Sequence, residues 1–265
     1  MTETGKLPIS LVVIAANEER NLPRCLKAAD FCSEIVVVDS GSTDHTLEIA
    51  AGHGAHIFHR PWSGFVAQKN FACEQASQPW VLCLDADEMI SPELRHSIER
   101  SFQNEPPVDG FEMNRHSIYG DKLINHSGWY PQWRLFLFRR GSAVWGGTDP
   151  HAEVIFHGKQ KTRLKGDLFH YTYTGIRHHV AKNMTFAREA AESMHAQGRR
   201  ATWPDLLARA PWAMFRSYVI QRGFLSGFHG LVIAAVAGFY TFLKYAMLRE
   251  IQMREKRATR EKEER

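Results

Sequence analysis

Cysteine is scarce: the 265-residue chain has four, Cys25, Cys32, Cys73 and Cys83, and none forms a C-x-x-C pair. Cys83 lies inside an apolar run, where a free thiol behaves as a small hydrophobe, and the expected compartment is a reducing one. The first residues, Met1 to Lys6, hold no apolar core of signal-peptide length, so export is not expected. A large excess of one charge is missing too. The 33 Lys+Arg against 29 Asp+Glu leave +4, too little to argue for nucleic acid as a partner. No internal repeat is present.

What the chain does have is apolar side chain. At 44% hydrophobic and 23% charged residues, it can bury a sizeable core, which excludes a disordered or fibrous protein. Its length suits one large domain, or one domain with an appendage. The charge is unevenly spread. Residues 1–198 hold 20 basic and 23 acidic residues, a balance of −3, whereas residues 199–265 hold 13 and 6, a balance of +7. The expected organisation is therefore a nearly neutral body, 1–198, and a basic, aromatic-rich helical tail, 199–265. An anionic bilayer surface is a natural partner for such a tail.

Along the body, short apolar runs alternate with helical stretches. Ile9–Ile14, Ile35–Val38, Ala55–Phe58 and Trp80–Leu84 read as strands. Helices are expected over Leu22–Ala29, over Thr46–Ala51 and from about Gly64 to Ala76. Another opens at Ser91-Pro92-Glu93, with serine as cap and proline in the first turn. β-branched strands apolar on both faces, alternating with helices, indicate an α/β fold with a mostly parallel sheet flanked by helices. The rhythm breaks at Gly110. Trp129–Trp133 reads as a loop, Arg134–Arg140 as a strand, and helical patterning returns from His178 to Met194. Phe224–Leu243 contains no Asp, Glu, Lys or Arg, and a helix of that length covers about 30 Å, the thickness of a hydrocarbon core. Ser226, His229, Gly227, Gly230 and Gly238 interrupt it. Core, interfacial and spanning helices are all open readings. The aromatic and basic Trp203, Arg209, Trp212, Phe215 and Arg216 just before it favour the interfacial one.

The strongest local signal is Leu84-Asp85-Ala86-Asp87-Glu88 at the end of a strand. Ligands of open parallel sheets bind beyond the carboxyl ends of strands, and clustered carboxylates repel unless a cation or proton intervenes. Hard carboxylates select Mg²⁺ or Mn²⁺, ions that commonly bridge to phosphates. Alone, such a cluster reads first as a solvated acidic loop capping the Ser91 helix. Here Asp39 ends a second strand and Glu18 follows a first, so three strands bring carboxylates to one edge. Asp39 suits a base imide N–H and Glu18 a ribose hydroxyl or nearby amide, whereas Asp44 reads as a helix cap. His53, His56 and His59 cross a helix end and a strand and do not converge on one ion.

Ile14-Ala15-Ala16-Asn17-Glu18-Glu19, Val36-Val37-Val38-Asp39-Ser40-Gly41-Ser42-Thr43-Asp44 and Leu84-Asp85-Ala86-Asp87-Glu88, in that order, resemble the nucleotide-sugar glycosyltransferases of family 2, which have the GT-A (Rossmann-like) fold. Gly128-Trp129-Tyr130-Pro131, Arg134–Arg140, His170-Tyr171-Thr172-Tyr173 and Gly223–Gly227 extend the likeness to bacterial lipopolysaccharide-core β-1,4-glucosyltransferases. The resemblance covers nearly the whole chain. It implies an inverting, metal-dependent transfer of a hexose, with UDP-glucose the first-choice donor. The acceptor would be a sugar hydroxyl of a lipid-linked glycan, and the location cytoplasmic and peripheral on the inner face of the cell membrane. Glu18, Asp39, Lys69 and Asp85 would hold the nucleotide sugar. Asp87, Asp85 and His170 would ligate Mn²⁺ or Mg²⁺, and Trp129, Tyr130 and His151 would contact the acceptor. An inverting transfer needs a carboxylate to take the acceptor's proton. Glu153 is favoured for it, with Asp149 as the alternative, although relatives carry Glu directly after His whereas Ala152 intervenes here. A polyprenyl phosphate acceptor and an inactive nucleotide-sugar-binding scaffold are the competing readings.

Overall fold

The computed structural model describes residues 5–148 and 151–263. They form two compact units, one of residues 1–116 and 131–171 and the other of residues 117–130 and 172–265.

In the first unit, β1 (Leu7–Ala15), β2 (Cys32–Asp39), β3 (His56–His59) and β4 (Trp80–Asp85) pair in parallel in the order β3-β2-β1-β4. Side chains of a strand alternate between faces, and both faces here are apolar. Ile9, Leu11 and Val13 enter a core with Leu22 and Leu26 of α1 (Leu22–Ala28) and Leu94 and Ile98 of α4 (Pro92–Ser101). Val12, Val36, Val38 and Val81 enter a second core with Ala72 of α3 (Phe65–Glu74). The helix α2 (Thr46–Gly52) connects β2 to β3. Such two-sided burial explains the continuous apolar runs, and it bears out the α/β class.

Beyond β4 the sheet continues with antiparallel partners. β8 (Trp133–Arg139) pairs with β4 and with β6 (Gly110–Tyr119), and β11 (Lys161–Tyr173) pairs with β5 (Glu88–Ile90). A separate hairpin joins β9 (Ala143–Thr148) to β10 (His151–Phe156). The Ser91 hydroxyl accepts the Leu94 N–H at 3.2 Å, with Pro92 opening α4, as the capping pattern predicts. Gly166 (φ +89°) lets β11 approach α4 closely, since a Cβ there would lie 2.3 Å from the Leu94 nitrogen.

The second unit holds β7 (Lys122–Leu123), α5 (Ile176–Ala196), α6 (Trp203–Leu207), α7 (Arg209–Phe215), a π-helical turn at Arg216–Ile220 and α8 (Gly227–Glu263). The sequence suggests a single boundary at residue 198. The compact units instead group residues 117–130 and α5 with the C-terminal helices, because Tyr119 and Ile124 bury themselves with Tyr173 of β11 and Ile233 of α8.

Candidate active site

In the order β3-β2-β1-β4 the chain steps from β1 outward to β2 and β3 and then crosses back to β4 on the other side of β1, so a crevice opens at the carboxyl ends of these strands. Asp39 stands opposite Ala15 at the end of β1, and Asp85 opposite Ile14. Register alone therefore sets two carboxylates on either side of one strand end.

The loops after β1 and β2 are laced together. Asn17, in the left-handed region at φ +58°, accepts the Thr43 N–H at 2.8 Å and donates its own N–H to Ser42 Oγ at 2.9 Å. The Glu18 N–H donates to Thr46 Oγ1 at 2.8 Å, and Glu18 Oε2 accepts from Asn21 Nδ2 at 2.6 Å. Asp44 accepts the Thr46 N–H at 3.0 Å, but the N-cap of α2 is His45, so Asp44 supports the helix start from one position before the cap and is not itself the cap the sequence indicates. Asp39 is fully buried. Its carboxylate accepts from the Gly41 N–H at 2.8 Å and from Ser42, and His59 Nδ1 lies 3.2 Å away. Burial alone would raise its pKa, but the Ser42 hydroxyl and the Gly41 and Ser42 N–H groups hold the carboxyl below the usual range.

At the end of β4, each carboxylate has its own partner. Lys69 of α3 is buried, with Nζ 2.6 Å from Asp85 Oδ1 and 4.3 Å over the Trp145 ring. Asp85 also lies 3.7 Å from Arg115 of β6. Against the cost of burial, Lys69 and then Arg115 hold its carboxyl well below the usual range. Glu88 is fully buried, accepts the Asp85 N–H at 2.9 Å and pairs with Arg115 Nε at 2.7 Å. Burial pushes its carboxyl up to about 7 despite Arg115. Asp87 Oδ2 lies 3.2 Å from His170 Nε2, and the Asp87 carbonyl accepts the Tyr171 N–H at 2.9 Å. Burial lowers the pKa of His170 and so favours the neutral imidazole.

The structure thus brings Asp85, Asp87, Lys69 and His170 together, and Glu18 and Asp39 at the neighbouring strand ends. Lys69 is a buried ion-pair partner, not a solvated helix charge. Among the described residues no three His, Cys, Asp or Glu side chains gather as a metal cage. Asp87 and His170 are two donors whose 3.2 Å separation suits neighbouring ligands of one octahedral ion with bonds of about 2.1 Å. An ionised carboxylate and a neutral imidazole are also the protonation states that a divalent cation takes, so this pair fits one.

Glu153, on β10 opposite Gly146, is exposed. Burial and then Arg115 lower the pKa of the Arg134 guanidinium, against which the Glu88, Asp85 and Glu153 carboxylates act. Asp149 lies outside the described residues, as does the side chain of His151. Trp129 packs in the second unit, its ring centroid 5.9 Å from those of Tyr173 and His179 and 6.3 Å from that of Tyr119. Tyr130, half-buried, follows it. Sequence reasoning misses Arg115, Arg134 and His59. A polar residue at an inward position of a strand, as at Arg115, is the one signal that marks any of them.

The family model described as Glycosyl transferase family 2 matches residues 10–192. An uncharacterized glycosyltransferase of Rickettsia bellii (strain RML369-C) is 30% identical over 277 residues, covering 98% of this chain and 92% of that protein. The lipopolysaccharide core biosynthesis glycosyltransferase LpsC of Rhizobium meliloti (strain 1021) is 29% identical, covering 92% of each chain. A solved structure, S. aureus TarS 1-349 in complex with UDP, is similar at a TM-score of 0.47 and 15% identity, covering 93% of this chain and 91% of that one.

Proposed function

The chain belongs to glycosyltransferase family 2, and from that premise we propose that it transfers a hexose, with inversion, from a UDP-sugar to a sugar hydroxyl of a lipid-linked glycan. UDP-glucose is the first-choice donor and a lipopolysaccharide inner core the first-choice acceptor, the latter supported by the name of the LpsC relative. The observation that carries the reading is the set of carboxylates at the switch point: Asp39 and Asp85 flanking the end of β1, with Asp87 beside His170.

In this reading Glu18 and Asp39 line the nucleoside end of the crevice. Asp39 is held rigid by the Gly41 and Ser42 N–H groups, so its orientation is set before a donor arrives, which lowers the ordering cost of binding. Lys69 and Arg115 fix Asp85 toward the ribose. Asp87 and His170 would hold Mn²⁺ or Mg²⁺. A divalent cation bound there supplies Lewis acidity that offsets the charge growing on the departing diphosphate. Glu153 takes the proton of the acceptor hydroxyl as that oxygen attacks the anomeric carbon. The new glycosidic bond forms as the bond to the diphosphate breaks, and UDP leaves with that electron pair. Alignment of the two substrates supplies much of the rate gain. The basic tail keeps the enzyme on the cytoplasmic face of the membrane that carries its acceptor.

The test is release of UDP from a panel of UDP-sugars by purified protein with Mn²⁺, Mg²⁺ or EDTA, with donor binding measured in parallel. Metal-dependent release from one sugar is expected. Neither binding nor turnover of any UDP-sugar would overturn the reading.

A further inference from the structure

By length and composition α8 could cross a membrane. Its packing partners oppose that use. Near its start, Ile233 is buried with Tyr119, Ile124 and Tyr173. A Cβ on Gly230 would lie 1.8 Å from the Gly223 carbonyl oxygen, so the helix presses on the preceding turn. Further along, Tyr245 and Leu248 are buried with Ala191 and Met194 of α5, and His195 lies 2.8 Å from Glu255. All of these residues belong to the second unit. The α5 helix on which α8 packs carries Arg177, Lys182, Arg188, Glu189 and Glu192, charges that a hydrocarbon core does not accept, so the pair does not form an apolar span.

The antiparallel partner is tied down as well. α7 packs on α8 closely enough that a Cβ at Gly238 would meet the Ala210 carbonyl oxygen at 3.1 Å and Met214 Cβ at 3.2 Å. Where the chain turns, Arg222 is left-handed at φ +55°, and the Gln221 carbonyl accepts the Ser127 N–H at 2.9 Å. This is a helical hairpin fastened at both ends, and its outer surface is apolar. Of the 21 large hydrophobic residues exposed among those described, 13 lie between Trp203 and Phe242, a density that solvent alone does not favour. Trp212, Phe215, Ile220, Leu225 and Phe228 are each about half exposed or more. Residues 199–244 hold six basic side chains and one acidic one. Among the described residues neither Arg216 nor Arg222, both exposed, is paired with a carboxylate. Apolar rings among unpaired cations match the chemistry of an anionic bilayer interface.

We propose that the outer surface of the α7–α8 hairpin lies flat in the headgroup region of an anionic phospholipid bilayer, holding the protein as a monotopic enzyme that does not span it. The proposal rests on the membrane-borne acceptor only for its purpose; the surface stands or falls apart from the transfer chemistry.

The full chain should float with vesicles of phosphatidylcholine mixed with phosphatidylglycerol at least about tenfold more tightly than with phosphatidylcholine alone. The double variant Trp212→Glu/Phe215→Glu should lose at least about tenfold in vesicle affinity. Arg216→Gln/Arg222→Gln, two exposed substitutions, should lose roughly fivefold per arginine and flatten the salt dependence. UDP release without vesicles should be unchanged in both variants, so a failed transferase reading is seen separately. If the aromatic variant melts early, the arginine variant alone decides. An impermeant maleimide added outside the vesicles should label Gln221→Cys and Met253→Cys equally. Unchanged flotation of both variants, equal affinity for neutral vesicles or labelling of only one of the two positions would overturn the proposal. So would a dimer in solution that the aromatic variant splits, since a second copy would then own the surface.

Discussion

The ion pair between Lys69 and Asp85 offers a sharp test, because one substitution removes it without removing bulk. Lys69→Met keeps the aliphatic stem against Trp145 and deletes the charge 2.6 Å from Asp85 Oδ1. Breaking a buried pair by deleting one partner costs ~3–5 kcal/mol, because the other charge is stranded. The Lys69 side chain is 10% exposed and that of Asp85 32%, so water recovers part of the loss for Asp85, and Arg115 at 3.7 Å recovers more. A loss of about 2–3 kcal/mol is expected. For a chain of this size that is roughly 4–12 °C in melting temperature. Asp85→Asn removes the stranded charge, so Lys69→Met/Asp85→Asn should be more stable than the sum of the single effects by about 1–2 kcal/mol. Thermal melts of the four proteins close the cycle. Strict additivity, or a Lys69→Met protein melting within a degree of the parent, would refute the claim that this lysine neutralises Asp85.

Glu153→Gln should lower hexosyl transfer by roughly 10²–10⁴ while leaving UDP binding intact by calorimetry; a fall of less than threefold would remove Glu153 from the role of base. Asp87→Asn and His170→Gln should each weaken Mn²⁺ binding in the presence of UDP by about tenfold or more, read from the paramagnetic relaxation of water, and wild-type affinity in both would place the cation elsewhere. His179 contributes one part of the pH dependence of stability. It is buried and its pKa is lowered to about 4, chiefly by desolvation, so below its unfolded value of about 6.5 only the unfolded chain takes the proton. The stability of the neutral ring is complete above about pH 6.5 and drains away as pH falls toward 4. At pH 5 the loss is at most ~2 kcal/mol, and His179→Phe should lose less melting temperature between pH 7.5 and 5 than the parent does. Equal losses would contradict that assignment. Gly166→Ala, with φ +89° and a Cβ 2.3 Å from the Leu94 nitrogen, should destabilise by more than ~1 kcal/mol, measured in urea.

The parallel half of the sheet was legible because its strands are buried on both faces, which leaves runs such as Leu11-Val12-Val13-Ile14 that no amphipathic element shows. Register then carries Asp39 and Asp85 to one strand end without any long-range information. The antiparallel half is harder to read. β6 runs two buried positions to one half-buried instead of alternating, with the polar Asn114, His116 and Ser117 buried, and its pattern is set by partners far away in sequence. For the same reason the sequence marks Arg115 only as a polar residue within a strand: its neutralising role exists only once β6 meets Asp85 and Glu88. The segment 117–130 groups with the C-terminal helices because Tyr119 and Ile124 find Tyr173 and Ile233, contacts that composition cannot announce. In α8, glycine and histidine blurred the helix by propensity, whereas the tight approach of Gly230 and Gly238 to their neighbours explains why glycine stands there.

The charge balance of the centre links its architecture to its chemistry. Asp85, Asp87 and Glu88 bring three carboxylates to the end of β4, and Lys69 and Arg115 bring two cations. His170 is neutral when burial governs it. With Glu88 raised to about 7, the cluster carries between zero and one net negative charge near neutrality. A nucleoside diphosphate sugar adds about two more in a partly dehydrated crevice, where unbalanced charge is costly. Lys69 and Arg115 are already committed to carboxylates, so they cannot serve the diphosphate without releasing Asp85. In the proposed reaction the remaining positive charge would come from Arg134, which feels these same carboxylates, and from a cation held by Asp87 and His170. A divalent ion there would also use the one acidic side chain of the cluster that neither Lys69 nor Arg115 contacts within ion-pair distance. Two of the three carboxylates are therefore spent on shaping the site, which leaves Asp87 as the one that would engage a cation in the proposed reaction.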